Sequence, residues 1–184
     1  MKISTKEMVL VSLFTALTAI GAFLSIPLGD VPITLQSMFT ILSGLLLGPK
    51  LGSLSQLVYV LLGLSGVRIF AGLSGGPQTI LKPSFGFLIG FIFAAFIVGK
   101  IAHGENSTDF KRIFLATLVG TFIIYLFGLP HMYIILNTVM GKAISISTAI
   151  KTGCLIFLPG DILKAFLSSL IASKVLKRVS VAKQ

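Results

Sequence analysis

Residues 31–64 read VPITLQSMFTILSGLLLGPKLGSLSQLVYVLLGL, and this stretch decides the fold. It contains two apolar runs, residues 35–48 and 51–64, which meet at Gly48-Pro49-Lys50-Leu51. A helix of about 14 residues is about 21 Å long, whereas the hydrocarbon core of a bilayer is about 30 Å thick. Runs this short either stop short of one membrane surface or need extended backbone at their ends, and lipid cannot satisfy the hydrogen-bonding groups of that backbone. The stretch therefore predicts two short transmembrane helices beside a cavity.

Four further apolar runs flank this stretch. They lie at about Thr5–Ser25, Phe85–Ala102, Arg112–Val139 and Pro159–Leu176, and a kink is expected at Pro130. Hydrophobic residues make up 55% of the 184 residues and charged residues 11%, against about 25% charged in soluble domains. The mean hydropathy is +1.04. We therefore predict an all-α membrane protein with six transmembrane helices, folded as one integral-membrane domain over residues 1–184.

The basic residues indicate the orientation. Lys and Arg number 15 against 5 acidic residues, and with both termini inside, ten of the 15 lie on the cytoplasmic side. This bias predicts a multi-pass protein of the cytoplasmic membrane with both termini cytoplasmic. The excess positive charge is then explained by the positive-inside rule rather than by nucleic-acid binding, and attraction to anionic lipid adds to it. One alternative is that the first run is a secretory signal peptide, although it is long for one.

A charged cluster stands inside the last apolar run. Asp161 and Lys164 are three residues apart, so they share one face of a helix whose first turn contains Pro159. Charged groups at membrane depth are costly and need a reason. The pair is either an internal ion pair that only permits burial or a ligand site, in which Asp161 accepts hydrogen bonds from N–H donors and Lys164 attracts a negative group or orients the aspartate.

Two other features suggest a site and a contact surface. The segment GLSGVRIFAGLSGGPQTILKP, residues 63–83, is too apolar and glycine-rich for an ordinary linker, so it predicts a glycine-rich outer loop that folds over the bundle as a lid, with a plain turn-rich connection as the alternative. Small residues in the first helix have the spacing that lets another helix approach closely: Ser12/Ala16 and Thr15/Ala19. From spacing alone, packing against a helix of the same chain is the default explanation. No GxxxxGK[ST] motif occurs, so the chain has no ATP site of that kind.

The motifs VPITLQ, GLLLGPKLG and LPGDILK, in this order on a chain of six apolar runs, resemble the BioY family. That family comprises the biotin-specific substrate-capture subunits of energy-coupling factor (ECF) transporters. The outer loop departs from the family pattern, since Arg68 stands for a proline, Leu73 for a glycine and Lys82-Pro83-Ser84-Phe85 for a GPTG run.

The resemblance implies high-affinity biotin binding and uptake with partners: a transmembrane coupling subunit and two ATP-binding cassette subunits. Asp161 and Lys164 match the family's GDxxK residues and are the first candidates for the biotin site. Weaker candidates, chosen for polarity and expected outer position, are Arg68, Phe70, Gln36 and Asn137. The family's small-residue pattern on the first helix implies a partner interface at Ser12, Thr15, Ala16 and Ala19.

Two other classes stay open. A proton-coupled secondary transporter of a small carboxylated vitamin would use Asp161 as its proton site, but the repeated halves typical of such folds are not evident. A structural membrane protein would need neither the Asp161–Lys164 pair nor the glycine-rich segment. The sequence predicts no enzyme, cofactor or metal site: Cys154 is the single cysteine, and no HExxH, CxxC or histidine cluster occurs.

Overall fold

The computed structural model describes residues 3–103 and 109–181, with side chains described as far as residue 178. Both chain ends, for which the sequence predicts the cytoplasmic side, therefore include residues outside these ranges. The described chain is mostly helical. Its elements are α1 (Thr5–Phe23), β1 (Ser25–Ile26), β2 (Ile33–Thr34), α2 (Gln36–Leu64), a 3-10 turn (Pro77–Leu81), α3 (Phe85–Ala102), α4 (Phe110–Ile134), a π-helical turn (Ile135–Val139), α5 (Ile146–Ile150), a second π-helical turn (Lys151–Leu155) and α6 (Leu158–Val181).

Within the described residues, five helical segments are long and apolar enough to cross a membrane: Thr5–Phe23, Gln36–Leu64, Phe85–Ala102, Phe110–Val139 and Ile146–Arg178. The chain is therefore a helical membrane protein, as the sequence predicts. The count differs from the six predicted spans because Gln36–Leu64 is counted as one segment, although it comprises two helices that meet at Gly48.

The helix α2 is broken at Gly48. This residue has φ +81° and ψ −179°, a conformation that glycine adopts easily, and Pro49 follows it. The two halves of α2 run back along each other, since Gln36 Nε2 donates to the Tyr59 hydroxyl at 2.6 Å although 23 residues separate them. In a straight helix these residues would be about 35 Å apart. The structure thus has a helical hairpin where the sequence predicts two short helices.

The helix α3 occupies the centre of the bundle. It packs on the α2 hairpin and on α4, and its small residues Ala94, Ala95 and Ala102 are fully buried. The contact with the hairpin is close: a Cβ at Gly44 would lie 2.5 Å from the Ala95 carbonyl oxygen. Steric room for the backbone, rather than large side chains, therefore sets the spacing of these helices.

A network of polar side chains lies between α1 and the α2 hairpin. Gln56 is fully buried there, and its Nε2 lies 3.1–3.3 Å from the hydroxyls of Thr18, Ser43 and Ser55. Its Oε1 accepts from Thr40 at 3.0 Å. This group, called the Gln56 network below, satisfies its polar atoms within the protein.

The chain between α1 and α2 folds over one end of the bundle. Strands β1 and β2 pair antiparallel, with Ser25 opposite Thr34 and Ile26 opposite Ile33. Next to this hairpin, Asp30 forms an ion pair with Lys142, which follows α4. This contact links two connecting segments that are distant in the sequence.

Candidate functional site

The Asp161–Lys164 pair forms the centre of a polar cluster. Both residues lie in the first turns of α6, and Lys164 Nζ is 2.6 Å from Asp161 Oδ1. The side chains are 12% and 11% exposed, so the pair is largely withdrawn from the surface. Asp161 lies close to the amino end of α6, where the helix dipole favours an anion. The helical spacing that predicts a shared face is therefore realised as an ion pair.

Lys164 has no free donor in this arrangement. Besides the bond to Asp161, its Nζ donates to the Thr34 carbonyl oxygen and to Ser37 Oγ, both at 3.1 Å. A lysine ammonium has three donors, so all are used. These bonds connect α6 to the start of the α2 hairpin and fix where the ammonium lies.

Tyr125 completes the cluster, and the sequence analysis did not include it. Its hydroxyl, on α4, donates to Asp161 Oδ2. A carboxylate offers about four acceptor sites, so Lys164 and Tyr125 leave about two for another donor. The sequence does show a tyrosine within the strongly apolar helix α4. It does not show the partner of this tyrosine, because that partner is set by the packing of α4 against α6.

The cluster lines a cavity between the helices. Aromatic and aliphatic side chains form most of its wall, and polar side chains from several elements contribute the rest. The lining includes Val31, Thr34, Gln36, Ser37, Phe70, Thr79, Lys82, Ser84, Phe85, Phe87, Leu88, Phe91, Thr121, Ile124, Tyr125, Phe157, Asp161 and Lys164.

Four of the six residues predicted for the ligand site line this cavity: Gln36, Phe70, Asp161 and Lys164. Gln36 is buried, and its Oε1 accepts from Thr34 Oγ1 at 3.0 Å. Phe70 is 3% exposed and packs edge-on against Tyr59, with ring centres 5.4 Å apart.

The segment between α2 and α3 places Phe70 in the cavity wall. Tyr59 donates to the Ile69 carbonyl oxygen at 2.9 Å, which ties the segment to the second half of α2. The Phe70 ring lies against Gly63, where a Cβ would be 2.0 Å from Cζ of the ring. A glycine at position 63 is thus required for this placement, and the segment folds onto the bundle instead of projecting from it.

Arg68 and Asn137 are not among the residues that line the cavity. Arg68 is exposed, two residues before Phe70. Asn137 lies in the π-helical turn after α4, where its Nδ2 donates to the Tyr133 carbonyl oxygen at 2.9 Å. These two residues were predicted from their polarity and expected outer position, whereas the direction of each side chain depends on local backbone that the sequence pattern did not resolve.

The small-residue face of α1 divides into two parts. Ser12 and Ala16 are exposed, but Thr15 and Ala19 are buried inside this chain. Thr15 Oγ1 lies 2.9 Å from the Ser55 carbonyl oxygen, so this side of α1 packs on the α2 hairpin. Of the four residues predicted for a partner surface, only Ser12 and Ala16 are therefore exposed on this chain, and the partner surface itself stays a prediction.

The family model and the relatives that match this chain all belong to the same protein family. The profile of the BioY family matches residues 1–181. The chain is 42% identical over 170 residues to the probable biotin transporter BioY of Pyrococcus horikoshii, covering 92% of this chain and 96% of that protein. It is 39% identical over 174 residues to the probable biotin transporter BioY of Lysinibacillus sphaericus, covering 95% of this chain and 88% of that protein.

Two solved structures share the fold. One is the crystal structure at 2.1 Å of the S-component for biotin from an ECF-type ABC transporter, with TM-score 0.72, 30% identity and coverage of 96% of this chain and 95% of that chain. The other is the S component of a bacterial ECF transporter, with TM-score 0.55 and 16% identity, covering 97% of this chain and 98% of that chain. The resemblance inferred from VPITLQ, GLLLGPKLG and LPGDILK is thereby confirmed, and the chain belongs to the BioY family.

Proposed function

We propose that the chain binds biotin and acts as the substrate-specific component of an ECF-type transporter. The observation that carries the proposal is the half-satisfied carboxylate of Asp161, held by Lys164 and Tyr125 at the wall of a largely apolar cavity. Family membership and the biotin transporters among the relatives support the same substrate.

The groups of biotin match the cavity. Its ureido ring has two N–H donors, which suit the acceptor sites that remain on Asp161. Its fused ring and aliphatic tail are apolar and suit the walls formed by Phe70, Phe91 and Phe157. In this reading Lys164 orients Asp161 and holds the start of α2, because its donors are already used.

We further propose that the chain crosses the cytoplasmic membrane six times, with both termini cytoplasmic and the cavity open to the outside. The turn at Gly48 supports the count, since the two halves of α2 run antiparallel. The basic residues support the orientation by the positive-inside rule. The whole chain then forms one substrate-binding domain in contact with membrane lipid.

Energy for transport would come from partners. The sequence has no Walker A motif, so we propose that a transmembrane coupling subunit and two ATP-binding cassette subunits assemble with it. Ser12 and Ala16 are the exposed small residues of α1 and offer a surface for close helix approach.

Calorimetric titration of the purified chain with biotin tests the binding proposal. We expect saturable binding of one biotin per chain, without ATP and without partners. Absence of binding would overturn the proposal. Uptake into liposomes then separates the two transport classes: dependence on ATP and on the partner subunits supports the ECF assignment, whereas uptake by the chain alone, driven by a proton gradient, would establish a secondary transporter.

A further inference from the structure

The cavity contains more than one place where a charged ligand can be held. Among its lining residues the charged side chains are Asp161, Lys164 and Lys82. Asp161 and Lys164 neutralise each other, and the three donors of Lys164 are occupied. A ligand carboxylate placed beside the Asp161–Lys164 pair would therefore have no positively charged partner, and burial makes an unpaired charge costly.

Lys82 also lines the cavity, on the segment between α2 and α3. It directly follows the 3-10 turn, and its N–H donates to the Thr79 carbonyl oxygen at 3.0 Å. Its own carbonyl oxygen accepts from the Phe85 N–H at 3.1 Å. These two hydrogen bonds fix the backbone of Lys82, so the fold of this segment determines that Lys82 lies at the cavity.

The side chain of Lys82 is exposed and has no ion pair or hydrogen bond with any residue in the ranges 3–103 and 109–178. The hydroxyl side chains of Thr79 and Ser84 line the cavity beside it. The lining also includes the apolar side chains of Phe85, Leu88 and Phe91. The cavity is therefore lined by two sources of charge on different elements: the neutralised Asp161–Lys164 pair on α6, and the ammonium of Lys82, which has no protein partner in the ranges given above.

Resting on the proposed function, we infer that Lys82 binds the carboxylate of biotin while Asp161 binds the ureido ring. The ammonium of Lys82 supplies the positive charge that the neutral Asp161–Lys164 pair cannot supply. Because Lys82 is exposed, this contact is partly screened, so it selects for carboxylated ligands more than it sets the total affinity.

The test compares two ligands on matched variants. Biotin and biotinamide, which lacks the negative charge, are titrated into the wild-type chain, Lys82→Gln and Lys151→Gln. Lys151 is an exposed lysine that does not line the cavity, so Lys151→Gln is the matched loss of one charge. We expect Lys82→Gln to weaken biotin binding about tenfold and biotinamide binding less than twofold, and Lys151→Gln to change neither.

Salt gives a second readout. The preference of the wild-type chain for biotin over biotinamide should fall as salt rises from about 50 mM to about 500 mM, and Lys82→Gln should show no such dependence. Equal weakening of both ligands by Lys82→Gln, or unchanged biotin binding, would overturn the inference while leaving the proposed function intact. If the wild-type chain binds neither ligand, the proposed function fails, and this inference fails with it.

Discussion

The Gln56 network and the Asp161 cluster, which consists of Asp161, Lys164 and Tyr125, are both groups of polar side chains inside a membrane protein. They differ in how fully the protein itself uses their hydrogen-bonding sites. Gln56 is fully buried, and among the described residues its side chain bonds only to hydroxyls of α1 and of the α2 hairpin. Asp161 has two protein partners and about two acceptor sites left, and it lies at the wall of a cavity.

We propose that this difference separates structural polar groups from functional ones. A polar group in the apolar interior must be paired, and a network that the protein pairs by itself contributes to packing and specificity of the fold. A carboxylate at a cavity wall whose acceptor sites are only partly used within the protein can accept further hydrogen bonds from a ligand. The following substitutions test this distinction through their effects on biotin affinity.

The largest loss is expected for Asp161→Asn. The substitution removes the charged acceptor and replaces one oxygen by a donor, so the ureido N–H groups lose their partner and Lys164 loses its counter-ion. Bonds to charged groups contribute about 1.5–3 kcal/mol, so we expect biotin binding to weaken about a hundredfold. Calorimetric titration measures this. The control is Asp109→Asn at the start of α4, outside the cavity lining, and affinity equal to wild type for Asp161→Asn would assign the pair a structural role.

A smaller loss is expected for Tyr59→Phe. The Tyr59 hydroxyl accepts from Gln36 and donates to Ile69, so it connects the α2 hairpin to the segment that carries Phe70. Removing the hydroxyl lowers the free energy that holds the hairpin and this segment together by about 1 kcal/mol, and we expect biotin binding to weaken about fivefold. Tyr133→Phe, which leaves the cavity lining unchanged, is the matched control. If both variants bind alike, the connection does not position the cavity wall.

Gln56→Met should change affinity less than twofold but lower stability. Methionine has nearly the same shape and leaves the Thr40 hydroxyl without the partner it has in the network, at a cost of about 1–3 kcal/mol. Thermal unfolding in detergent and biotin titration of the same preparation measure the two effects. Adding Thr40→Val removes the unpaired hydroxyl and should restore part of the loss. A large loss of affinity with unchanged stability would place this network in the binding site.

The smallest effect on affinity is expected for Ala16→Leu. Ala16 is exposed on α1, so a larger side chain there should leave biotin binding unchanged but abolish co-purification with the coupling subunit and ATP-dependent uptake. Ala19→Leu is the contrast, because Ala19 is buried in the core and the added volume should destabilise the chain itself. Intact co-purification and uptake for Ala16→Leu would place the partner surface elsewhere.

The sequence predicts features that depend on neighbouring residues. The Asp161–Lys164 pair follows from helical spacing, and the reversal at Gly48-Pro49 follows from two residues that interrupt an apolar run. Features that depend on contacts between distant segments were missed or misplaced. Tyr125 is 36 residues from Asp161 in the sequence, and only the packing of α4 on α6 brings them together.

The α1 face shows the same limit. Spacing alone gives Ser12/Ala16 and Thr15/Ala19 equal status, although the α2 hairpin covers only the second pair. Likewise, Arg68 and Phe70 are two residues apart, yet only Phe70 lines the cavity. Which side of a helix or loop is covered is decided by the rest of the fold, and this information is not local.

The bonds of Lys164 to Asp161, Thr34 and Ser37 are made entirely within the protein, and they have a thermodynamic consequence. A flexible lysine loses up to about 2 kcal/mol of rotamer entropy when it is fixed. Because these partners belong to the fold, that loss is part of folding rather than of ligand binding. Order that the fold supplies to the site thus favours tight capture of a small molecule, and variants that loosen α6 against α2 should reduce affinity without removing any atom that touches the ligand.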